Sequence, residues 1–361
     1  MKREYQLDLL RILSMLGIVG LHILYQGGAL RFVTPYSVNY YLCWIIEIIL
    51  MSSVNIFALL TGYLYITKNS LKTKSIINLI ATVLFYCISI TLLFICLKSD
   101  LKVKDIIIGF FPPIAGKYWY ITSYIFLFFM IPYLNKFINS ISQKQFKKLL
   151  SILFILLTVV TTFGLKDYFK IGNGYSPFWL IYMYMIGAYI KINKPTIKTN
   201  KCLILLTINI FIIMLSKVAI SLITKYLTGN EVMSDIFIQY NSPFILVNSI
   251  LIFIIFNKIK PSKKENINKL IITISSLMFG IYIIHSHYFF FDFILKDISL
   301  NIPNKYLTIY SFGMILLIFV ICGIIEFIRT KIFKFLKIDN ILEKMSNIFD
   351  KLVYVKEEEN E

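Results

Sequence analysis

Residues 7–27, LDLLRILSMLGIVGLHILYQG, decide the fold, because they form an apolar stretch of the length that crosses a bilayer, about 20 residues as a helix. Similar stretches follow at 40–66, 77–97, 118–135, 149–165, 177–192, 202–223, 237–257, 270–291 and 306–328. We therefore predict an all-α fold, a polytopic transmembrane bundle of about ten helices.

The composition agrees with the bilayer as solvent. Of the 361 residues, 58% are hydrophobic, whereas soluble domains contain about 45–50%. The formal net charge is +18, and most of the lysines and arginines that carry it lie between the apolar stretches rather than in one basic domain. We therefore expect contact with membrane lipid and no nucleic acid. Most of these cations fall on one side, which predicts cytoplasmic N- and C-termini in the cell membrane. The Lys-, Ile- and Asn-rich composition is typical of a bacterium with an AT-rich genome.

The five cysteines, Cys43, Cys87, Cys96, Cys202 and Cys322, lie in apolar stretches without CxxC or Cys/His metal spacing. Neither a metal site nor a disulfide scaffold is indicated.

Two domains are predicted: a transmembrane domain over 1–330, and a cytoplasmic amphipathic helix with an acidic tail over 331–361. The helix is indicated by apolar residues at helical spacing, which is typical of a helix in the membrane plane. These residues are Ile338, Ile341, Leu342, Met345, Ile348, Phe349 and Leu352.

Arg11 and His22 lie within the first apolar stretch. Their spacing of eleven residues returns to within about 20° of one helix face, with a rise of roughly 16 Å. Asp8, three residues before Arg11, lies on that face and can pair with it. Charged groups in spans usually mark function, although Asp8 and Arg11 could also be an ordinary ion pair near the membrane surface.

Four ionisable groups from four predicted helices fall at similar depth. With a rise of ~1.5 Å per residue, His22, Glu47, Lys217 and His285 lie about 8–11 Å below the outer surface. This pattern predicts the lining of a polar chamber. Each group also has a structural alternative. His22 could bond to a neighbouring helix, and Glu47 could be a structural partner of Lys217 or Tyr41. Lys217 could extend to the lipid headgroups, and His285 could be an interfacial residue.

Four segments resemble the membrane acyltransferase-3 family over roughly residues 5–328. They are Asp8-Leu9-Leu10-Arg11-Ile12-Leu13-Ser14 with His22, Phe57-Ala58-Leu59-Leu60-Thr61-Gly62-Tyr63, Tyr118-Trp119-Tyr120-Ile121 and Gly280-Ile281-Tyr282-Ile283-Ile284-His285. Thr61 stands where this family usually has Ser. The resemblance implies transfer of an acyl group, commonly acetyl from acetyl-CoA, to hydroxyls of extracytoplasmic, cell-surface glycans, with Arg11 and His22 as the essential pair.

Under this interpretation His22 is the general base, and Glu47 orients it. An acyl-histidine intermediate on His22 is the alternative route. Arg11, supported by Asp8, binds the phosphate or pantetheine part of acyl-CoA. Lys217, Tyr282, His285 and Trp119 are assigned to the substrate chamber, although an aromatic belt at the outer surface also explains Trp119. We expect acetyl-CoA as a co-substrate, and no metal.

Two other functions fit a helical bundle with polar groups. A transporter or flippase for a glycan or lipid-linked sugar is the main alternative, although the chain shows no inverted repeat. A membrane anchor or assembly partner in polysaccharide synthesis would tolerate replacement of Arg11 and His22.

Overall fold

The computed structural model describes residues 3–68, 71–98, 100–112 and 116–353. These residues form helices and connecting turns, without a β-strand among them. The helices α1 to α14 are Tyr5–Leu21, Val38–Leu50, Ser52–Tyr65, Lys74–Leu97, Val103–Phe110, Trp119–Ser140, Gln143–Phe154, Pro177–Asn193, Thr199–Thr228, Pro243–Asn257, Glu265–Ser276, Met278–His285, Leu307–Phe335 and Ile338–Val353. Shorter segments are Ala29–Phe32, Thr161–Phe163 and Tyr288–Phe290 as α-helix, His22–Gln26, Ile155–Val160 and Phe291–Leu295 as π-helix, and Gly172–Gly174 and Asn304–Tyr306 as 3₁₀-helix.

Among the described residues, eight helical stretches are long and apolar enough to cross a membrane, which confirms the predicted polytopic bundle. They are Tyr5–Gln26, Val38–Tyr65, Lys74–Leu97, Trp119–Ser140, Gln143–Phe163, Thr199–Thr228, Glu265–His285 and Asn304–Phe335.

The two other predicted spans, 177–192 and 237–257, correspond to shorter helices. α8 has 17 residues and α10 has 15, so their lengths of ~26 and ~23 Å fall short of a hydrocarbon core of about 30 Å. Both helices are largely enclosed by protein, and Trp179, Met183 and Tyr184 of α8 are fully buried.

Serine side chains start several of these helices. Ser37, Ser142, Ser176 and Ser242 each accept a hydrogen bond from a backbone N–H in the first turn of the helix that follows. These bonds satisfy donors that a helix start leaves free. Proline follows Ser176 and Ser242, at a position where its missing N–H costs nothing.

The centre of the bundle is the crossing of α3 and α8, where the two backbones touch. A Cβ on Gly62 would overlap the carbonyl of Tyr184, and a Cβ on Gly187 would overlap the carbonyl of Leu59. Gly62 belongs to the segment 57–63 singled out from the sequence. Small residues are what allow transmembrane helices to approach this closely, so this segment serves packing.

α14 lies against the start of α4. The backbone N–H of Thr73 donates to Asp350 at 2.8 Å, and Lys74 pairs with Glu343 at 2.9 Å. On its other side the apolar residues Ile341, Met345, Ile348, Phe349 and Leu352 are exposed. The predicted acidic tail lies outside the described residues, and the division of the chain at 330 stays a prediction.

Candidate active site

The helical path of α1 changes at His22. From His22 to Gln26 the backbone is π-helical, and the N–H of Gly27 donates to the carbonyl of His22 at 2.9 Å, five residues back. π-Helical insertions of this kind are rare in proteins. Where they occur, they often lie at functional sites. At this point the His22 side chain lines a cavity formed with residues far away in the sequence.

This cavity, which we call the histidine cavity, has a volume of about 540 Å³. Its lining includes four of the residues predicted from the sequence, which are His22, Glu47, Trp119 and Tyr282. Tyr25, Gln26, Trp44, Tyr118, Asn173, Tyr175, Asp235, Gln239 and Tyr240 also line it. Lys117 and apolar side chains also belong to the lining, so the cavity wall combines aromatic rings, amide and carboxylate groups, one ammonium and apolar side chains.

His285 lies directly behind His22 rather than in the cavity wall. The two ring centroids are 5.0 Å apart, and Phe291 packs edge-on against His22 at 5.3 Å. Nδ1 of His285 lies 2.6 Å from the carbonyl oxygen of Ile281. Because a carbonyl only accepts, Nδ1 carries the proton and Nε2 carries the lone pair.

The two nitrogens of His22 have different surroundings. Nδ1 is buried and has no hydrogen-bond partner among the described residues. His22 is partly exposed to the cavity, so Nε2 is the nitrogen open to a substrate.

Glu47 reaches the cavity from α2 and is buried. Its Oε2 has no hydrogen-bond partner within the part of the chain that the structure describes. A buried polar atom without a partner is costly, so this oxygen is available to a ligand or to water in the cavity.

Lys217 is close to the cavity but separated from it. Its ammonium lies 3.4 Å from the centre of the Trp44 ring and donates to Ser234 at 3.1 Å. Trp44 lines the histidine cavity, whereas Lys217 packs on the ring from α9. Lys217 therefore supports a wall residue in this structure.

Three aromatic rings form one wall of the histidine cavity. Trp119 lies 4.7 Å from Tyr175 and 6.1 Å from Tyr240, centre to centre, and Tyr175 lies 4.8 Å from Tyr240. Trp119 is the first residue of α6, Tyr175 lies in the loop before α8, and Tyr240 lies in the loop before α10.

Asn55 of α3 holds this wall, and the sequence analysis missed it. Its amide donates to the carbonyl of Tyr240 at 2.9 Å and accepts from the indole of Trp179 at 2.8 Å. The signal was present, because a fully buried asparagine in an apolar span requires partners.

A second cavity, which we call the arginine cavity, has a volume of about 490 Å³ and contains Arg11. Further polar residues in its lining are Thr61, Tyr65, Ser75, Asn78, Thr82, Tyr120, Tyr124, Ser275, Ser276, Tyr282, Glu326 and Arg329. Thr61 belongs to the segment singled out from the sequence, and its hydroxyl donates to the carbonyl of Phe57 at 2.9 Å.

The carboxylate of Asp8 holds Arg11 in place through a salt bridge. The carboxylate accepts from Arg11 at 2.7 Å, from Arg3 at 2.8 Å and from the hydroxyl of Ser275 at 3.0 Å. Asp8 is buried, while the Arg11 side chain keeps 32% of its surface exposed. The predicted pairing of Asp8 with Arg11 is present, and it leaves part of the Arg11 side chain exposed.

A second charged pair in this cavity, Glu326 with Arg329, did not emerge from the sequence. Nε of Arg329 donates to Oε2 of Glu326 at 2.7 Å, and one terminal nitrogen donates to Oε1 at 2.6 Å. The signal was a carboxylate and an arginine three residues apart near the end of the last apolar stretch.

Tyr282 lines both cavities. Its ring lies 6.1 Å from that of Tyr118 and 6.3 Å from that of Tyr120. The hydroxyl of Tyr118 donates to the backbone of Ile283 at 2.7 Å, which ties α6 to α12 at this point. His22 and Arg11 thus line different cavities that meet at one tyrosine.

The described residues contain no group of three or more His, Cys, Asp or Glu side chains placed to hold a metal ion.

The sequence model of the Acyl_transf_3 family, described as an acyltransferase domain, matches residues 4–326. Neither a curated protein nor a solved structure matches the chain. The matched range contains both cavities except for Arg329.

Proposed function

Because the chain belongs to the acyltransferase-3 family and forms a multi-pass membrane acyltransferase, we propose that it transfers an acetyl group from cytoplasmic acetyl-CoA to a hydroxyl of a cell-surface glycan. In this proposal the arginine cavity binds the donor and the histidine cavity binds the acceptor.

The observation that carries the proposal is the shared wall at Tyr282. A transferase must bring two substrates into contact while each is bound by its own groups. Arg11 lines one cavity, His22 lines the other, and Tyr282 borders both. A donor and an acceptor bound in these cavities would therefore meet beside Tyr282 and His22.

The lining of each cavity suits its proposed substrate. A guanidinium is well adapted to phosphate, and Arg11 has N–H groups left over after its bond to Asp8. The histidine cavity combines an aromatic wall with Asn173, Asp235 and Gln239, groups that can hydrogen-bond the hydroxyls of a sugar.

The reaction assigned to His22 is general base catalysis. Nε2 takes the proton of the acceptor hydroxyl while the oxygen of that hydroxyl attacks the thioester carbonyl. The carbon–sulfur bond then breaks, so that the acetyl ester forms and the thiolate of CoA leaves and takes up a proton. Glu47 in the same cavity favours the positively charged imidazole that forms on His22.

The test is transfer of labelled acetyl from acetyl-CoA to a glycan acceptor by the purified full-length protein in nanodiscs. We expect His22→Ala to lower the rate by about 10²–10⁴-fold, the usual contribution of a general base. His287→Gln is the matched control, since His287 lines neither cavity and bonds to Gly109 through a nitrogen that glutamine can replace.

Two results would count against the proposal. Transfer that survives in His22→Ala would exclude His22 as the base. Absence of transfer by the wild-type protein from any CoA thioester would exclude the proposed donor.

A further inference from the structure

Arg329 lines the arginine cavity from a different helix than Arg11. Arg11 belongs to α1 and Arg329 belongs to α13. The two arginines are 318 positions apart in the sequence, and the fold brings them to one cavity. The Arg329 side chain is 11% exposed and Glu326 is 4% exposed. A buried charged pair inside a membrane helix is expensive, so it calls for a functional explanation.

The surroundings hold the guanidinium of Arg329 in one position. Glu326 accepts two bonds from it, and the Glu326 carboxylate also accepts from the hydroxyl of Tyr86 at 2.7 Å. The guanidinium carbon lies 4.4 Å over the ring of Phe333. Such a side chain loses little conformational entropy when it binds a ligand.

Gly280 provides the room for this arrangement. A Cβ on Gly280 would overlap the carboxyl group of Glu326. α12 therefore lets the carboxylate lie directly against its backbone, and this places Glu326 and Arg329 at the cavity wall.

The charges favour an anionic ligand. Arg3, Arg11 and Arg329 stand against two carboxylates, those of Asp8 and Glu326. The group therefore carries one net positive charge, and after their bonds to the carboxylates both cavity arginines retain N–H donors.

We propose that Arg329 is a second donor-binding residue, which acts with Arg11 to hold the phosphate groups of acyl-CoA in the arginine cavity. This inference rests on the proposed use of acyl-CoA as the donor. The thioester end of the donor then points towards Tyr282 and the histidine cavity, because Tyr282 is where the two cavities meet.

The experiment compares two donors with the same acetyl thioester. Acetyl-CoA carries the phosphates, whereas S-acetylpantetheine has none. For Arg329→Ala in nanodiscs, we expect the KM for acetyl-CoA to rise by about tenfold or more, as for loss of a charge-assisted bond. The KM for S-acetylpantetheine and the kcat for both donors should stay close to wild type.

Three further variants guard against a purely structural effect. Arg329→Lys keeps a cation beside Glu326 and should raise the KM for acetyl-CoA less than alanine does. The double variant Glu326→Gln with Arg329→Gln leaves no unpaired charge and should behave like Arg329→Ala. Arg31→Ala removes an arginine paired with Asp297 outside both cavities and should change neither KM.

A lipid headgroup is the other source of phosphate for an arginine in a membrane protein. The comparison is therefore repeated in nanodiscs of neutral lipid alone and of neutral lipid mixed with anionic phosphatidylglycerol. An equal KM ratio between variant and wild type in both membranes supports binding of the donor. A ratio that appears only with the anionic lipid overturns the proposal.

Other outcomes also have defined meanings. An unchanged KM for acetyl-CoA in Arg329→Ala, or an equal rise for both donors, overturns the role of Arg329 while the acyltransferase function stands. If the wild-type protein uses neither donor, the proposed donor fails together with this inference.

Discussion

The imidazole rings of His22 and His285 lie 5.0 Å apart, and the Nδ1 proton of His285 is bonded to the carbonyl of Ile281. His285 therefore carries its lone pair at Nε2, which lies 3.4 Å from the hydroxyl oxygen of Ser286. The ring of His285 fills the space next to the ring of the proposed base. We propose that His285 positions the imidazole of His22, and this role is a prediction.

Replacement of His285 tests this relationship. His285→Phe keeps a ring against His22 but removes both nitrogens, so we expect transfer to fall by about tenfold, less than for loss of the base itself. The measurement is kcat as a function of pH, together with the thermal unfolding midpoint. An unchanged pH profile and rate with normal folding would show that His285 only fills space.

Replacement of Tyr282 tests the separation of the two cavities. Tyr282→Ala removes the side chain that both cavities share. Water from the histidine cavity should then reach the thioester of the donor even when no acceptor is bound. We expect faster hydrolysis of acetyl-CoA in the absence of a glycan and slower transfer in its presence. Tyr124→Ala is the control, because Tyr124 lines only the arginine cavity of the two. Equal hydrolysis in both variants would contradict the separating role.

Replacement of Gly280 tests the packing beneath Glu326. A methyl group in Gly280→Ala must displace the Glu326 carboxylate, which weakens its bonds to Tyr86 and Arg329. We expect a loss of about 1–3 kcal/mol in the free energy of unfolding, as for other overpacked sites, seen as a lower unfolding midpoint in detergent.

Gly313→Ala is the matched control on α13. A Cβ at Gly313 has no described heavy atom within 4 Å, so alanine should leave stability unchanged or raise it by about 0.5–1 kcal/mol, because glycine is unfavourable inside a helix. Similar losses for Gly280→Ala and Gly313→Ala would show that contact with Glu326 is not the cause.

Much of the fold could be predicted because hydrophobicity along a membrane chain is a local property. Each predicted apolar stretch contains a helix, although the ends moved where packing decided them. The stretch predicted at 149–165 begins at Gln143, where Ser142 starts the helix, and the one predicted at 270–291 ends at His285. α10 begins at Pro243 rather than at 237, whereas α8 covers its predicted stretch, and protein rather than lipid surrounds most of both helices.

The site was less predictable because it depends on which helices are neighbours. Similar depth suggested that Lys217 and His22 share a chamber, but depth does not determine the direction of a side chain, and Lys217 lies behind Trp44. The position of Asn55 beside Tyr240 and that of Arg329 in the cavity of Arg11 depend in the same way on distant parts of the chain, although a polar residue near or within an apolar stretch marks each of them in the sequence.

The sequence by itself determined that the chain is a helical membrane protein of the acyltransferase-3 family, and that Arg11 and His22 lie on its first span. Periodicity and apolar length suffice for this, because both act within one helix. Only the tertiary structure decided that the two residues line separate cavities, that Tyr282 borders both and that the ring of His285 lies next to that of His22. These relationships arise from contacts between helices, where a single glycine such as Gly62 or Gly280 determines how closely two elements approach.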